Sequence, residues 1–351
     1  MELVCVGDVA IADVSVLKRE WEPPLVGFPG EDTRILLNWE LPIGETVNPV
    51  PRSSGPRLLA HPHSPQVVHK WSPGIATLAT NHILDAGESG LVNTMESLSN
   101  AGFMTVGAGR NEEEITAPLF WETVEGRLAI LNWVFPETHP DWMHVPGPNC
   151  WPSLNEARHI IQRIRSHADW VLVVVHWSDE LFPYPRPGDR TVAYELVSAG
   201  ADLIIGHHPH VVRGAETIGT CPVFYSLGDF YFSDVADGQG GWITRRAPRN
   251  REGLGVWITF RRGHSPIYRV LPFWQANGHV TLDTLRRATK RMEHVSRPLE
   301  QFQGSAYAEW YISERSRFDR WGYRWHFGLW QMGWRGLIRR LTKMLHLCTQ
   351  R

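Results

Sequence analysis

Five short apolar runs each give way to residues that hold metal ions. Residues 3–6 lead into Gly7-Asp8, 35–37 into Asn38-Trp39-Glu40, 75–79 into Thr80-Asn81-His82, 171–175 into His176, and 203–205 through Gly206 into His207-His208-Pro209-His210. An aspartate, a glutamate, an amide oxygen and several imidazoles make a mixed oxygen and nitrogen donor set without thiolate. Such a set suits Mn, Fe, Zn or Co, as a pair bridged by a carboxylate, better than calcium or a copper thiolate centre. Two divalent transition metal ions about 4 Å apart clamp the attacking and leaving oxygens of a phosphoryl displacement and supply a hydroxide at neutral pH. Pro209 fixes the backbone between His208 and His210. Beside Asn81, His82 is placed to give a proton to a leaving oxygen, with Asp85 three residues on to orient its ring.

These residues are scattered over about 200 positions, so only a shared scaffold brings them together. The apolar runs at 3–6, 35–37, 75–79, 104–106, 128–131, 171–175, 203–205, 223–225 and 254–260 are mostly continuous, as expected for strands buried on both faces. Ser153-Leu154-Asn155-Glu156 has the form of a capping box, with Ile160, Ile161 and Ile164 at helical spacing behind it. Further helices are expected at 89–100 and about 190–199, each followed by a glycine, and loops at 42–65, 136–152 and 183–188. Alternating strands and helices imply a layered α/β fold. In an open α/β sheet the carboxyl ends of the strands line one crevice, so the polar residues that end the runs converge there. Several carboxylates and histidines at one sheet edge need each other or a cation.

Composition narrows the surroundings. The 351 residues contain 35 Lys and Arg against 37 Asp and Glu, for a net charge of −2, which gives no general attraction to nucleic acid. Residues 313–351 carry nine basic and two acidic side chains, so a basic tail follows an acidic body. Cys5, Cys150, Cys221 and Cys348 form no C-x-x-C pair, which argues against a zinc ribbon or a disulfide scaffold and for a reducing compartment. No run approaches the length of a membrane span, and no signal peptide is read at the start. A cytoplasmic location is expected, peripheral to the inner membrane face if the tail binds there.

Taken in order, Gly7-Asp8, Asn38-Trp39-Glu40, Asn81-His82-Ile83-Leu84-Asp85-Ala86-Gly87, His176-Trp177 with Glu180, Gly206-His207-His208-Pro209-His210 and Tyr225-Ser226-Leu227-Gly228-Asp229-Phe230 resemble the motifs of the CapA family. CapA proteins act in poly-γ-glutamate capsule synthesis and resemble calcineurin-like metallophosphoesterases. The resemblance implies a four-layer αββα sandwich, two sheets face to face between helices, over residues 1–290, with a helical extension over 291–351. It makes Asp8, Glu40, Asn81, His176, His208 and His210 the metal ligands, Glu40 bridging, and His82 the general acid. Metal-bound hydroxide would then attack an anionic phosphoester or polymer substrate. Asn38, Glu180, His207, Arg213, Glu216 and Asp229 are expected to touch substrate or to support the ligands from behind. The chain departs from the family pattern at Thr80 and Asp229, where the family keeps asparagines, at Ser178, where it keeps a glycine, and in the absence of the family's N-terminal membrane segment. The reading from a different class is a non-catalytic metal-binding component of a capsule polymer assembly or export complex.

Taken singly, these residues have plainer readings. Asp8, Asn38, Asp85 and Glu180 read as turn or cap residues, and His82 and His176 as ordinary hydrogen-bonded histidines; the ordered set points to a metal site. Arg213 and Glu216 read first as an ion pair with each other. His61-Pro62-His63 follows a basic loop and reads as surface, with Ser64-Pro65 starting a helix. From Trp330, an apolar face of Trp330, Trp334, Leu337, Ile338, Leu341, Met344 and Leu345 lies opposite Arg335, Arg339 and Lys343. With Trp321 and Trp325 upstream, residues 321–347 resemble a helix for an anionic membrane surface, or for a capsule-synthesis complex; packing on the chain's own body is the plain alternative.

Overall fold

The computed structural model describes residues 1–13, 33–47, 55–71, 73–138, 145–236, 241–323 and 326–327. Two sheets dominate it. In spatial order the larger runs His279–Leu282, Ile267–Ala276, Glu252–Thr259, Glu2–Ala10, Thr33–Trp39, Gly74–Thr77 and Phe103–Val106, and Asp229–Phe232 pairs with the end of Glu2–Ala10. The second runs Ala215–Ile218, Cys221–Phe224, Leu203–His207, Trp170–His176, Gly126–Val134 and Leu119–Thr123. In both, the central strands that carry candidate ligands pair in parallel; antiparallel strands close both margins of the second sheet and one margin of the larger, whose other edge, Phe103–Val106, is parallel.

Side-chain parity along the strands builds four layers. Leu3 and Cys5 of the first sheet meet Leu172, Val174, Leu203 and Ile205 of the second in one core between the sheets. The intervening Val4 and Val6 face outward, in a core with Leu91, Met95 and Leu98 of helix Gly87–Asn100. On the other side Val171, Val173 and Val175 share a core with Ala157 and Ile161 of helix Leu154–Arg165 and Ala193 and Leu196 of helix Pro187–Ala199. Both faces of each sheet are therefore apolar, which is why the runs read as continuous rather than alternating. The capping box forms as expected: Ser153 Oγ accepts from Glu156 N at 3.2 Å, and Glu156 Oε2 accepts from Ser153 N at 3.3 Å.

The strands missing from the sequence reading are marginal ones. Leu119–Thr123, Ala215–Ile218, Ile267–Ala276 and His279–Leu282 are only partly buried, Pro272 interrupts the apolar stretch of the third, and Asp229–Phe232 is too short to stand out. Strand ends shift too: the first strand continues through Gly7-Asp8 to Ala10, whereas the run at 75–79 leaves the sheet after Thr77. Helix Arg287–Gln301 passes through position 290, and its Val295 and Leu299 join the core beneath the second sheet along with Tyr307 and Tyr311 of helix Gly304–Arg317. No helix among the described residues is long and apolar enough to cross a membrane. The amphipathic segment from Trp330 lies outside the described residues.

Gly7 shows why the first motif needs its glycine. A Cβ there would run into the carbonyl of Gly228, whose oxygen accepts from Asp8 N at 3.0 Å. That close approach sets Asp8 opposite Asp229 in the parallel pairing of their strands. Gly7→Ala is expected to destabilise the fold by about 4 kcal/mol or more, read as a lower denaturant midpoint; an unchanged midpoint would contradict the packing described.

Candidate metal centre

The carboxyl ends of the central strands bring the expected residues to one place. Asp8, Asn38, Glu40, His176 and His207 are fully buried, and Asn81, His82, Asp85, His208, His210 and Asp229 nearly so. Three groups of donors have ligand atoms within 4.8 Å of one another: Glu40, His176 and His208; Asp8, His210 and Asp229; and Glu180, His208 and His210. Asn81 Oδ1 lies 3.1 Å from His176 Nε2, which is itself 3.6 Å from Glu40 Oε1. Asn38 ties the first two groups together, donating from Nδ2 to Asp8 Oδ1 at 2.9 Å and to Glu40 Oε2 at 2.8 Å. Thr77 Oγ1 in turn donates to Asn38 Oδ1 at 3.2 Å and fixes the amide.

The backbone around these ligands is strained. His208 and His210 have φ of 92° and 55°, in the left-handed region that non-glycine residues seldom occupy. The turn of which Pro209 is the centre aims both rings at the donors of neighbouring strands, and His208 N donates to Asp8 Oδ2 at 3.3 Å. Asn250 Nδ2 holds the His210 carbonyl at 2.7 Å. Ser178, where the family pattern keeps a glycine, also has a positive φ, 74°. Its hydroxyl offsets that cost by donating to Asp189 at 2.6 Å and accepting from Arg213.

Electrostatics favour a cation. Burial pushes the Glu40 carboxyl well above the usual carboxylate range, and Asp8, Asp229 and Glu180 add to the effect against the pull of His210. Burial works against the Asp8 carboxylate too, but its contacts with His207 and His210 outweigh this and hold it well below the ordinary value. His207 Nδ1 sits 3.0 Å and His210 Nδ1 3.3 Å from Asp8. Burial keeps His176 and His208 neutral, well below the usual imidazole range, with a lone pair available to a metal. His210 is the reverse: burial opposes its charge, Asp229 at 2.8 Å outweighs burial, and the ring stays protonated well above the usual range.

The donor set passes a test of fit. Glu40 Oε1, His176 Nδ1, His207 Nε2 and His208 Nδ1 are buried without a hydrogen-bond partner within the protein. Orphaned polar atoms so concentrated are costly unless something binds them. A divalent ion entering this cluster displaces the protons that Glu40 and His210 carry. Metal binding at neutral pH is therefore expected to release on the order of one to two protons, seen in calorimetry as a heat that varies with buffer ionisation enthalpy; a heat independent of buffer would contradict these protonation states.

A cleft of about 310 Å³ opens onto the cluster, lined by Asn81, His82, Glu137, Glu180, His208 and Arg315 among others. His82 Nδ1 meets Asp85 Oδ2 at 2.6 Å, and Asp85 also accepts from Leu58 N at 2.8 Å, so the ring is held in one orientation. Glu180 is exposed at the cleft.

Other expected residues fall elsewhere. Arg213 and Glu216 are not partners. Arg213 is buried and binds Ser178 Oγ and the carbonyls of Asp179 and Phe182, which fixes the loop that carries Glu180; Glu216 is gripped by Arg190 at 3.0 and 2.8 Å and by Tyr225 Oη at 2.6 Å. Neither lines the cleft. Arg246 was not foreseen: it donates to Asp229 through Nε at 2.9 Å and through Nη2, and lies 3.9 Å over the Phe232 ring. The extra carboxylate at Asp229 was the only signal in the sequence for such a counter-charge. Cys5 and Cys221 are buried free thiols whose pKa values burial raises, so neither offers a thiolate.

Comparisons with known proteins find similar chains. Capsule biosynthesis protein CapA of Bacillus anthracis is 30% identical over 207 residues, which cover 56% of this chain and 47% of that protein. PGA biosynthesis protein CapA of Bacillus subtilis (strain 168) is 28% identical over 237 residues, covering 67% and 60%. The chain thus spans about half to three fifths of the length of these curated relatives. Among solved structures, a putative 5'-nucleotidase from Staphylococcus aureus in complex with alpha-ketoglutarate aligns at a TM-score of 0.45 and 13% identity, over 86% of this chain and 58% of that one. The family model described as bacterial capsule synthesis protein PGA_cap matches residues 3–234, a stretch that begins just before Asp8 and ends just after Asp229, and the chain belongs to that family.

Proposed function

We propose that this chain is a metal-dependent phosphoesterase-type protein serving the synthesis of a capsule-like polyanion. The observation that carries the catalytic half is the His82–Asp85 pair in the cleft beside the buried donors: a site that only stored metal would have no use for an oriented proton carrier at its opening. The capsule half rests on the family match. Two divalent ions are proposed, one on Glu40, His176 and His208 with Asn81, the other on Asp8, His210 and Asp229. Ions held there supply Lewis acidity that offsets charge on an ester's oxygens and acidifies water at neutral pH.

The remaining roles belong to the protein. Asp85 fixes the His82 ring through Nδ1, so proton transfer to a leaving oxygen falls to Nε2. Asn38 holds the Asp8 and Glu40 carboxylates in register. Arg246 shares the charge of Asp229, which reduces its repulsion of an anionic substrate. Manganese-loaded protein is expected to hydrolyse members of a phosphomonoester and phosphodiester panel and to stop on chelation. Absence of hydrolysis by protein with metal bound would instead support a non-catalytic component of a polymer assembly complex.

A further inference from the structure

Beside the metal cleft lies a second cavity that contains none of the candidate ligands. Its volume is about 510 Å³, and its walls include Phe182, Tyr184, Arg249, Arg291, Phe318 and Trp321. It shares a wall with the cleft: the Arg315 guanidinium, which lines the cleft, stands 5.1 Å over the Phe182 ring.

The cavity is basic. Arg249, Arg291 and Arg317 reach it against one carboxylate, Glu314. Arg317 pairs with Glu314 at 2.6 Å, and Arg291 engages both carboxylate oxygens of Glu252. Arg249 makes no ion pair among the described residues; the carboxylate that acts on it, Glu252, is held by Arg291. Burial, with Arg291 alongside, lowers its pKa to about 10, so it stays charged at neutral pH. A part-buried guanidinium whose neighbouring carboxylate is taken up by another arginine is poorly compensated, and an anion entering the cavity relieves that cost.

The cavity is also aromatic. Phe318 packs edge-on to Phe182 at 5.1 Å and Tyr184 edge-on to Trp310 at 4.8 Å, which makes these walls rigid. Trp321 is 71% exposed, so much of its indole faces the opening. Burial, helped by Arg249 and Arg291, brings His326 down to about 4, so this lining ring is neutral. Rigid, partly apolar walls with a few charged groups are the make-up of a small-molecule pocket, and the volume lies in the usual range.

We infer that this cavity binds a small organic anion bearing a flat ring, of the nucleoside phosphate class, with its anionic group on Arg249 and its ring against Trp321. A ringless polycarboxylate would use the arginines but gain nothing from the indole.

The test is calorimetric titration of the full chain with AMP and, separately, with inorganic phosphate, in EDTA so that the metal centre does not bind phosphate. AMP is expected to bind, and Arg249→Gln and Trp321→Ala are each expected to weaken it about tenfold. Among the described residues neither side chain makes an ion pair or joins a hydrophobic core, so both variants should melt with the wild type. Absence of AMP binding, binding that survives both substitutions, or binding that appears only when divalent metal is restored would overturn the assignment. Inorganic phosphate binding as tightly as AMP would overturn the role of the ring.

Discussion

His208→Ala is expected to strip the protein of tightly held transition metal and, with it, of any hydrolysis. His208 belongs to two of the three donor groups, with Glu40 and His176 on one side and Glu180 and His210 on the other. Its ring is neutral through burial and its backbone is already bent to present it. Losing it takes a donor from both groups, so affinity should fall about 100-fold or more. Elemental analysis after dialysis reads the effect directly. Thermal stability of the metal-free variant should change little, because alanine removes a poorly satisfied buried ring rather than a packed anchor. A variant that kept the wild-type metal content would show that His208 is not a ligand.

His82→Ala separates chemistry from metal binding. The ring belongs to none of the three donor groups, so metal content should match the wild type. Hydrolysis should fall about 10²- to 10⁴-fold, the range set by loss of a positioned general acid. Esters with acidic leaving groups should suffer least, since they depart without a proton. Asp85→Asn, which keeps a hydrogen-bonding side chain beside the ring but removes its charge, should fall in the same direction by a smaller factor. If His82→Ala hydrolysed every ester as fast as the wild type, His82 would have no part in proton transfer.

The donors were legible because strand ends leave a specific trace: an apolar run that stops at Asp8, Glu40, Asn81, His176 or His208 has no packing reason to do so. Their convergence follows from the parallel pairing of adjacent strands. What stayed hidden depends on contacts between distant segments. Nothing local marks Arg246 as the partner of Asp229, since it sits just after a short exposed strand in an otherwise ordinary basic pair. Arg213 and Glu216 are three residues apart and suggest an ion pair, yet each turns to a different neighbour, Ser178 and Arg190. The outer strands Ile267–Ala276 and His279–Leu282 are masked by Pro272 within the apolar stretch of the first and by the polar, partly exposed residues of the second. The departures at Thr80 and Ser178 became intelligible only with geometry: Thr80 Oγ1 donates to the Glu40 carbonyl at 2.9 Å, and Ser178 meets a left-handed backbone with two side-chain bonds.

The most direct test of the metal centre is diffraction from crystals grown with manganese, with data collected on either side of the manganese absorption edge. Two anomalous peaks are expected at the strand ends, one among Glu40, His176 and His208 and one among Asp8, His210 and Asp229. Crystals without a peak there, or with manganese only at an outlying pair such as His61 and His63, would contradict it.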